Sequence, residues 1–502
     1  MTLRLRRPLH FRKAALMRRG TTPLILLALF AGRASAQQQA DSTAPRAVVE
    51  ALRHVLAHGY VTGVSADSLA RFTSADTMLL ALQDPHTMLL SPKGLAAFQV
   101  MAGQHFGGIG AKLGSRRDTT YLTGVIPGSP ADRVGLQAFD RVVEVNDTSV
   151  VGKNVDAVVE RIRGPVGTSL TLTVIRPGAA PIKGPLTRAP VGIPSVPGMA
   201  ILDGGIGVVR IAQFGEGAAR EFAGVVDRLV ETGGLNGLII DVRSNPGGLL
   251  EEALTIAAFF LPEGSPLVEI RPRPPQAVAK QLTESPARYP ATLPLGVVVD
   301  EHSASAAEVL AGALQDARRA TVFGRLSYGK GSVQQVVPLV EGWAVKMTIA
   351  KWFTPAGRGL DRGAEPADSS MDITAPHAGG VVPDVVTSPD TAALPPRAAM
   401  TAISDSSWFV IAERLTDWTE TVAREMATPG APTSAAKAPA AILDGIRVPA
   451  EVRQPLEKWL GQRITAQAMG ARFGEVAQEG YELTNDKELA QVRAHLVAHT
   501  TR

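Results

Sequence analysis

No cysteine occurs among the 502 residues. That excludes disulfides, thiol catalysis and a lipidated N-terminal cysteine, and it is compatible with an oxidising compartment. Acidic residues are missing from residues 1–36, which hold eight of the 51 lysines and arginines (Arg4, Arg6, Arg7, Arg12, Lys13, Arg18, Arg19 and Arg33). Without this stretch the chain has 43 basic against 47 acidic residues, a net charge of −4 rather than the overall +4. The basic pI therefore belongs to a leader, and a nucleic-acid partner loses its main support. Long apolar runs are also absent: the run from Leu24 to Ala31 is too short for a stable membrane anchor. Arg18-Arg19, this run and Ala34-Ser35-Ala36 together predict a secretory signal over residues 1–36, with the mature chain starting near Gln37. An uncleaved anchor is the alternative, Met17 is a second candidate start, and the twin arginines alone are a weak export signal. No repeat at a solenoid period is seen.

What remains has the composition of a soluble globular protein, 45% hydrophobic and 20% charged, and is long enough for two to four domains. Residues 41–100 read as an N-terminal helical region, in which Val48, Leu52, Val55 and Leu56 recur at helical spacing. His54 and His58 have metal-ligand spacing, but without a partner carboxylate in a recognisable motif they read as surface histidines. Residues 103–188 read as a β-rich module with one notable helix, Val155 to Arg163. Its Gly-rich loop, Phe106-Gly107-Gly108-Ile109-Gly110, opens a strand through Leu113. Such a loop can offer amides to a carboxylate while the strand edge pairs with an extended peptide. The order of elements resembles a PDZ domain, on Phe106 to Gly110, Gly128-Ser129-Pro130-Ala131, Gly135-Leu136 and Asp140 to Asn146. Phe139 and Asp147 depart from that pattern at positions where such domains often carry glycine.

After a six-proline connector (177–198), strands and helices alternate from Ile206 to Phe353, which predicts parallel βαβ units in a core spanning 189–390. Residues 391–450, Ala- and Pro-rich from 427, read as a linker, and 451–502 as a C-terminal helical region. Chemistry is expected on two loops at the carboxyl ends of core strands. In one, Asn245-Pro246-Gly247-Gly248-Leu249, consecutive glycines at a helix entrance expose N–H groups to an anion, although a plain strand-to-helix turn explains them too. In the other, Ser305-Ala306-Ala307-Glu308 matches a capping box, yet a nucleophile at a helix start also fits, with the Ala306 amide and the helix dipole facing an oxyanion. Lys330, between Gly329 and Gly331 where no neighbouring side chain crowds it, decides for the nucleophile. A serine needs a base; His302 lies only three residues upstream, where sequence does not fix its geometry, and no second motif supports His86, His105 or His377. A buried lysine with a pKa lowered to roughly 7–8 can serve. Gln334 follows on a predicted strand, on the face from which it could orient the amine.

These stretches, with Gly312-Ala313-Leu314-Gln315-Asp316, Thr354-Pro355-Ala356-Gly357-Arg358, Pro383-Asp384-Val385 and Asp84-Pro85-His86, resemble the carboxyl-terminal processing peptidases, or tail-specific proteases, over residues 45–390. The resemblance implies an α/β fold: a crotonase/Clp-protease-like core, an inserted PDZ domain, and helical N- and C-terminal regions. It implies Ser305 as nucleophile, Lys330 as base and Gln334 as its partner, with Gly247, Gly248 and Ala306 at the oxyanion. Phe106, Gly107, Gly108, Ile109, Gly110 and Leu113 would take a substrate's C-terminus, and Arg163 would link the PDZ domain to the lysine. His302 and Ala307 depart from the family's usual Gly and Ser without removing a catalytic group. No metal or cofactor is implied. The expected partners are unfolded or C-terminally exposed polypeptides, in a bacterial periplasm or cell envelope, with membrane proximity and oligomerisation left open. The rivals are a catalytically silent PDZ scaffold and, on fold analogy alone, acyl-CoA chemistry.

Overall fold

The computed structural model describes residues 44–102, 105–116, 119–176, 178–192, 194–273, 277–362, 379–390, 395–426, 429 and 433–500. The expected leader and His377 lie outside them. At the centre is a six-stranded sheet in the order Gly198–Leu202, Ile206–Arg210, Gly237–Asp241, Leu295–Val299, Thr321–Gly324, Val385–Val386. The first pair is antiparallel and every later pair parallel. Strands Gly237–Asp241 and Leu295–Val299 are buried along their whole length, so the sheet must be covered on both faces. Helices Ala218–Glu231, Leu250–Ala258 and Ala306–Asp316 cover one face, packing on Val209, Ile240, Val297 and Val299. Leu489, Val492 and Leu496 of helix Lys487–Thr500 cover the other, against Val208, Ile239, Val298 and Phe323. The C-terminal end of the chain is thus part of the core.

The βαβ alternation expected through Phe353 stops at Gly324. Ser332–Pro338 and Ala344–Phe353 form an antiparallel hairpin in a second sheet, joined by Met88–Leu90, Pro266–Pro272 and Ala279–Leu282. A one-turn link at Val340–Gly342 is too short for a crossover, so the hairpin has to be antiparallel. The N-terminal helix Arg46–Gly59 lays Val49, Leu52 and Leu56 on Val345 and Met347 of this sheet.

The module at 111–187 has its own core, including Leu122, Val142, Val158, Leu172 and Val174. Its helix Val155–Ile162 faces strand Ala111–Arg116. His105–Gly108 lies outside this module's main sheet and pairs with Ala189–Gly192, bringing the start and the end of the module together. Phe139 has φ 70°, a region costly for a residue with a side chain, and that side chain packs on the C-terminal helices. The expected linker at 391–450 is corrected. It contains Arg397–Ala402, Asp405–Glu425 and Ala438–Ile442, which build a helical core with Ala450–Phe473. Small residues here serve close helix packing: Ala423, Ala438 and Ala468 are all buried between helices.

Candidate active site

Two loops leave the carboxyl ends of adjacent parallel strands, Gly237–Asp241 and Leu295–Val299, and are stitched together by hydrogen bonds. The Asp300 carboxylate accepts from the Ser244 N–H (2.8 Å) and hydroxyl (3.1 Å) and from the His302 N–H (3.0 Å). Ala304 N–H donates to the Asn245 carbonyl (2.9 Å), and the Ser303 hydroxyl to the Val242 carbonyl (2.7 Å). Gly247 then lies against Ser305: a Cβ at Gly247 would be 2.8 Å from the Ser305 Cβ, so no larger residue fits. The Gly247 N–H is taken by Asn245 Oδ1 (2.8 Å). The N–H groups of Gly248 and Ala306, in contrast, make no hydrogen bond among the described residues. Of the three amides expected to face an oxyanion, two are open.

Ser305 has φ 58° and ψ −117°, a strained conformation for a serine at a strand-to-helix turn. The residue is fully buried, and its Oγ has no hydrogen-bond partner among the described residues. An orphaned buried hydroxyl costs about 1–3 kcal/mol. The expected capping box is present from the Glu308 side, where Oε2 accepts from the Ser305 N–H at 2.7 Å.

Glu308 does much more than cap the helix. Its buried carboxylate also accepts from the Lys330 N–H (2.8 Å), the Gly329 N–H (2.6 Å) and the Ser327 hydroxyl (2.5 Å). Burial pushes this carboxyl above its ordinary value, against the pull of the four donors. One side chain therefore fixes the backbone of Ser305 and of Lys330. The glycines around Lys330 have a reason other than uncrowding. A Cβ on Gly331 would sit 2.2 Å from the Asp361 nitrogen, because the 360–362 backbone runs directly over it.

Lys330 is 5% exposed. Burial and then the charge of Lys346 lower its amine to a pKa of about 8, while Glu308 and Asp84 pull the other way. The orphaned Ser305 Oγ makes no hydrogen bond to it. Gln334 is buried, but its amide donates to Ser332 Oγ (2.8 Å) and, at 3.5 Å, to Thr348 Oγ1, rather than to Lys330. A register shift between Val333 and Gln334 interrupts the alternation on which the expected orientation rested.

Beneath this pair lies a layer that sequence reasoning missed. Asp84 accepts from the hydroxyls of Thr87 (2.6 Å) and Thr348 (2.7 Å) and from the His86 N–H (2.9 Å). Lys346 is 3% exposed. Burial and then Lys330 push the His86 ring down to about 4, so it is neutral and weakly basic. Asp84-Pro85-His86 was a visible motif, but nothing in the sequence placed it beside Lys330.

The expected peptide loop is spread over two elements, with Phe106, Gly107 and Gly108 on the ribbon and Gly110 and Leu113 at the module's first strand. Ile109 is 2% exposed and belongs to the module's core, so it offers little surface, whereas Leu113 is half-buried. Arg163 ends helix Val155–Ile162 with an exposed side chain, and the buried arginine of this corner is Arg188, which donates to the Ile162 carbonyl at 2.7 Å.

A family model described as "Peptidase family S41" matches residues 205–369, and one described as "PDZ domain" matches residues 121–176. Carboxy-terminal processing protease CtpB of Bacillus subtilis is 32% identical over 337 residues, 66% of this chain and 69% of its own length. CtpA of the same organism is 32% identical over 285 residues, 57% of this chain and 60% of its own. Among solved structures, a photosystem II D1 C-terminal processing protease aligns over 69% of this chain and 93% of its own at 27% identity, with a TM-score of 0.42. No described helix is long and apolar enough to cross a membrane. The chain belongs to the S41 peptidases, as a carboxyl-terminal processing serine protease with a PDZ domain.

Proposed function

We propose that Ser305 is the nucleophile and Lys330 its general base, in a crotonase/Clp-protease-like core that cleaves exported polypeptides after their C-termini are captured by the PDZ domain. One observation carries the reading: the backbone N–H of Ser305, whose buried hydroxyl is orphaned on a strained turn, shares the Glu308 carboxylate with the backbone N–H of Lys330, a buried lysine of lowered pKa. Neutral Lys330 takes the proton of Ser305 as Oγ attacks the scissile carbonyl, and the tetrahedral oxyanion rests on the N–H groups of Gly248 and Ala306. Lys330 then protonates the departing amine, leaving an acyl-enzyme. Water, deprotonated by the same amine, releases the acid. Since the neutral amine is the active form, the rate rises with pH through about 8, the pKa of Lys330.

Substrate enters as an extended tail. Its terminal carboxylate meets the amides near Gly108 to Gly110, its last side chain lies by Leu113, and its strand pairs along Ala111–Arg116. Arg163 at the end of the module's helix is the candidate contact that reports an occupied groove to the core. The leader predicted from the sequence supports a location in the cell envelope.

Turnover of an unstructured peptide with a free C-terminus, compared with its amide, tests the reading. Ser305→Ala and Lys330→Ala should be inactive yet still bind the peptide, and the amide should be cut more slowly. Wild-type rates in Lys330→Ala would sink the base assignment, and equal rates for acid and amide the capture step. Labelling of Ser305 by a fluorophosphonate distinguishes a working protease from a silent scaffold.

A further inference from the structure

Asp84 stands 246 positions before Lys330 in the chain, yet it lies in the same polar layer. The short strand Met88–Leu90 explains this. It pairs with Ala344–Lys346 at the edge of the second sheet and pulls the preceding turn, Asp84 to Thr87, against Thr348. On its other side Thr348 lies opposite Gln334. The hydrogen-bond polarity is consistent along the line. Gln334 Nε2 donates to Thr348 Oγ1 (3.5 Å), and the Thr348 hydroxyl donates to Asp84 Oδ2 (2.7 Å). Thr87 Oγ1 adds a second hydroxyl to the same oxygen (2.6 Å) and accepts from the Thr348 N–H (3.1 Å).

We propose that Asp84 is a positioning residue for the Ser305–Lys330 reaction: through Thr348 it holds the Gln334 side chain, and its negative charge balances the two buried lysines. The proposal rests on Lys330 being the base. Burial raises the Asp84 carboxyl, but the hydrogen bonds from Thr87, Thr348 and the His86 N–H outweigh it and keep the group ionised. The charged groups that bear on Lys330 come from three other elements. Lys346 on strand Ala344–Phe353 disfavours its protonated form, and Glu308 on helix Ala306–Asp316 and Asp84 favour it. His86, neutral, couples to Lys330 from the Asp84 turn, and Asp361 and Tyr60 bear on that turn. Two cations buried side by side without an anion would repel, and Asp84 is the carboxylate that faces both. On this reading the N-terminal helical region completes the site, because its docking on Val345 and Met347 delivers Asp84.

Two variants separate charge from bridge. Asp84→Asn removes the anion but keeps a side chain that can accept from Thr348. Thr348→Val removes the bridge but keeps the charge. For the full-length protein with an unstructured peptide, kcat and KM are measured from pH 6 to 10. Asp84→Asn should move the rising limb of kcat to lower pH by about 0.5 unit or more, with KM within about twofold. Thr348→Val should lower the plateau kcat by about 2–3-fold, since the shorter Ser332 bond still holds Gln334, with the limb unmoved, and Thr348→Ser should restore it. A purely structural Asp84 would lower activity without moving the limb, and that result, or wild-type kcat in Thr348→Val, overturns the proposal. If Asp84→Asn does not fold, the Thr348 pair decides. Lys330→Ala measured alongside keeps the two readings apart: activity there rejects the base assignment, whereas an inactive Lys330→Ala with an unmoved limb in Asp84→Asn rejects Asp84 alone.

Discussion

The Ser305 half and the Lys330 half of the site are held by different means. Around Ser305 the geometry is set by backbone, through paired strands, two loops stitched at Asp300 and Asn245, and a helix start. Around Lys330 it is set by side chains, the buried Glu308, Thr348, Gln334 and Lys346 and the half-buried Asp84, which come from four separate elements. A hydroxyl needs only to be aimed, and a turn can do that. An amine also needs its proton affinity adjusted, which takes charges at set distances and low water access. The difference predicts that substitutions on the serine side alter rate at every pH, while those that change a charge on the lysine side also shift the pH at which the rate is reached.

The largest effects remove the reacting groups. Ser305→Ala and Lys330→Ala should each lower kcat/KM by at least ~10⁴-fold in a peptide-cleavage assay. They should not add when combined, because the two groups act as one unit. Next is the residue shared by both halves. Glu308→Gln places an amide where four donors converge, and each orphaned donor costs about 1–3 kcal/mol. Calorimetry should show a lower Tm, and turnover should fall about 10²-fold, with the rising limb moved to lower pH because Glu308 no longer favours protonated Lys330. A Glu308→Gln enzyme with wild-type rate would mean that the two halves are positioned independently.

Lys346→Met probes the lysine side alone, with a smaller effect. Lys346 holds down the Lys330 pKa, so its loss lets that pKa rise from about 8 and moves the rising limb of kcat/KM to higher pH. A shift of about 0.5–1 unit would lower the rate near pH 7 by about 3–10-fold and leave the alkaline plateau in place. The sign is opposite to that expected for Asp84→Asn, so the two pH profiles should bracket that of the wild type.

The same contrast governs how much could be read in advance. The Ser305 turn, the glycine loop and Lys330 stand in short motifs, and local backbone rules account for their conformations. Glu308 was visible only as a cap, since its other three donors come from residues 327–330. The Asp84–Thr348 bond spans 264 positions and depends on how the Met88–Leu90 strand docks, which no local pattern records. Gln334 was misaimed because a bulge breaks strict alternation. The region 391–450 reads as a linker because its pattern is weak and its alanine and proline content high from residue 427, yet its helix Asp405–Glu425 carries Trp408, Leu415 and Trp418 at the spacing of one packed face.

The finest test concerns Ser332. Its Oγ accepts from Gln334 Nε2 at 2.8 Å, while the competing Thr348 Oγ1 lies at 3.5 Å. Ser332→Ala therefore leaves Gln334 with the longer bond, and the amide should settle towards Thr348 instead of losing its place. A neutral hydrogen bond contributes about 0.5–1.5 kcal/mol, which corresponds to a fall in kcat of roughly 2–10-fold, and the surviving bond pushes the value to the low end of that range. Neither residue is charged, so the pH of the rising limb should stay where it is. Ser332→Ala combined with Thr348→Val removes both acceptors, and the double variant should lose more than the product of the two single losses. Strictly multiplicative losses would mean that Gln334 is held by something other than these two hydroxyls, and the side-chain account of the lysine half would then need a different anchor.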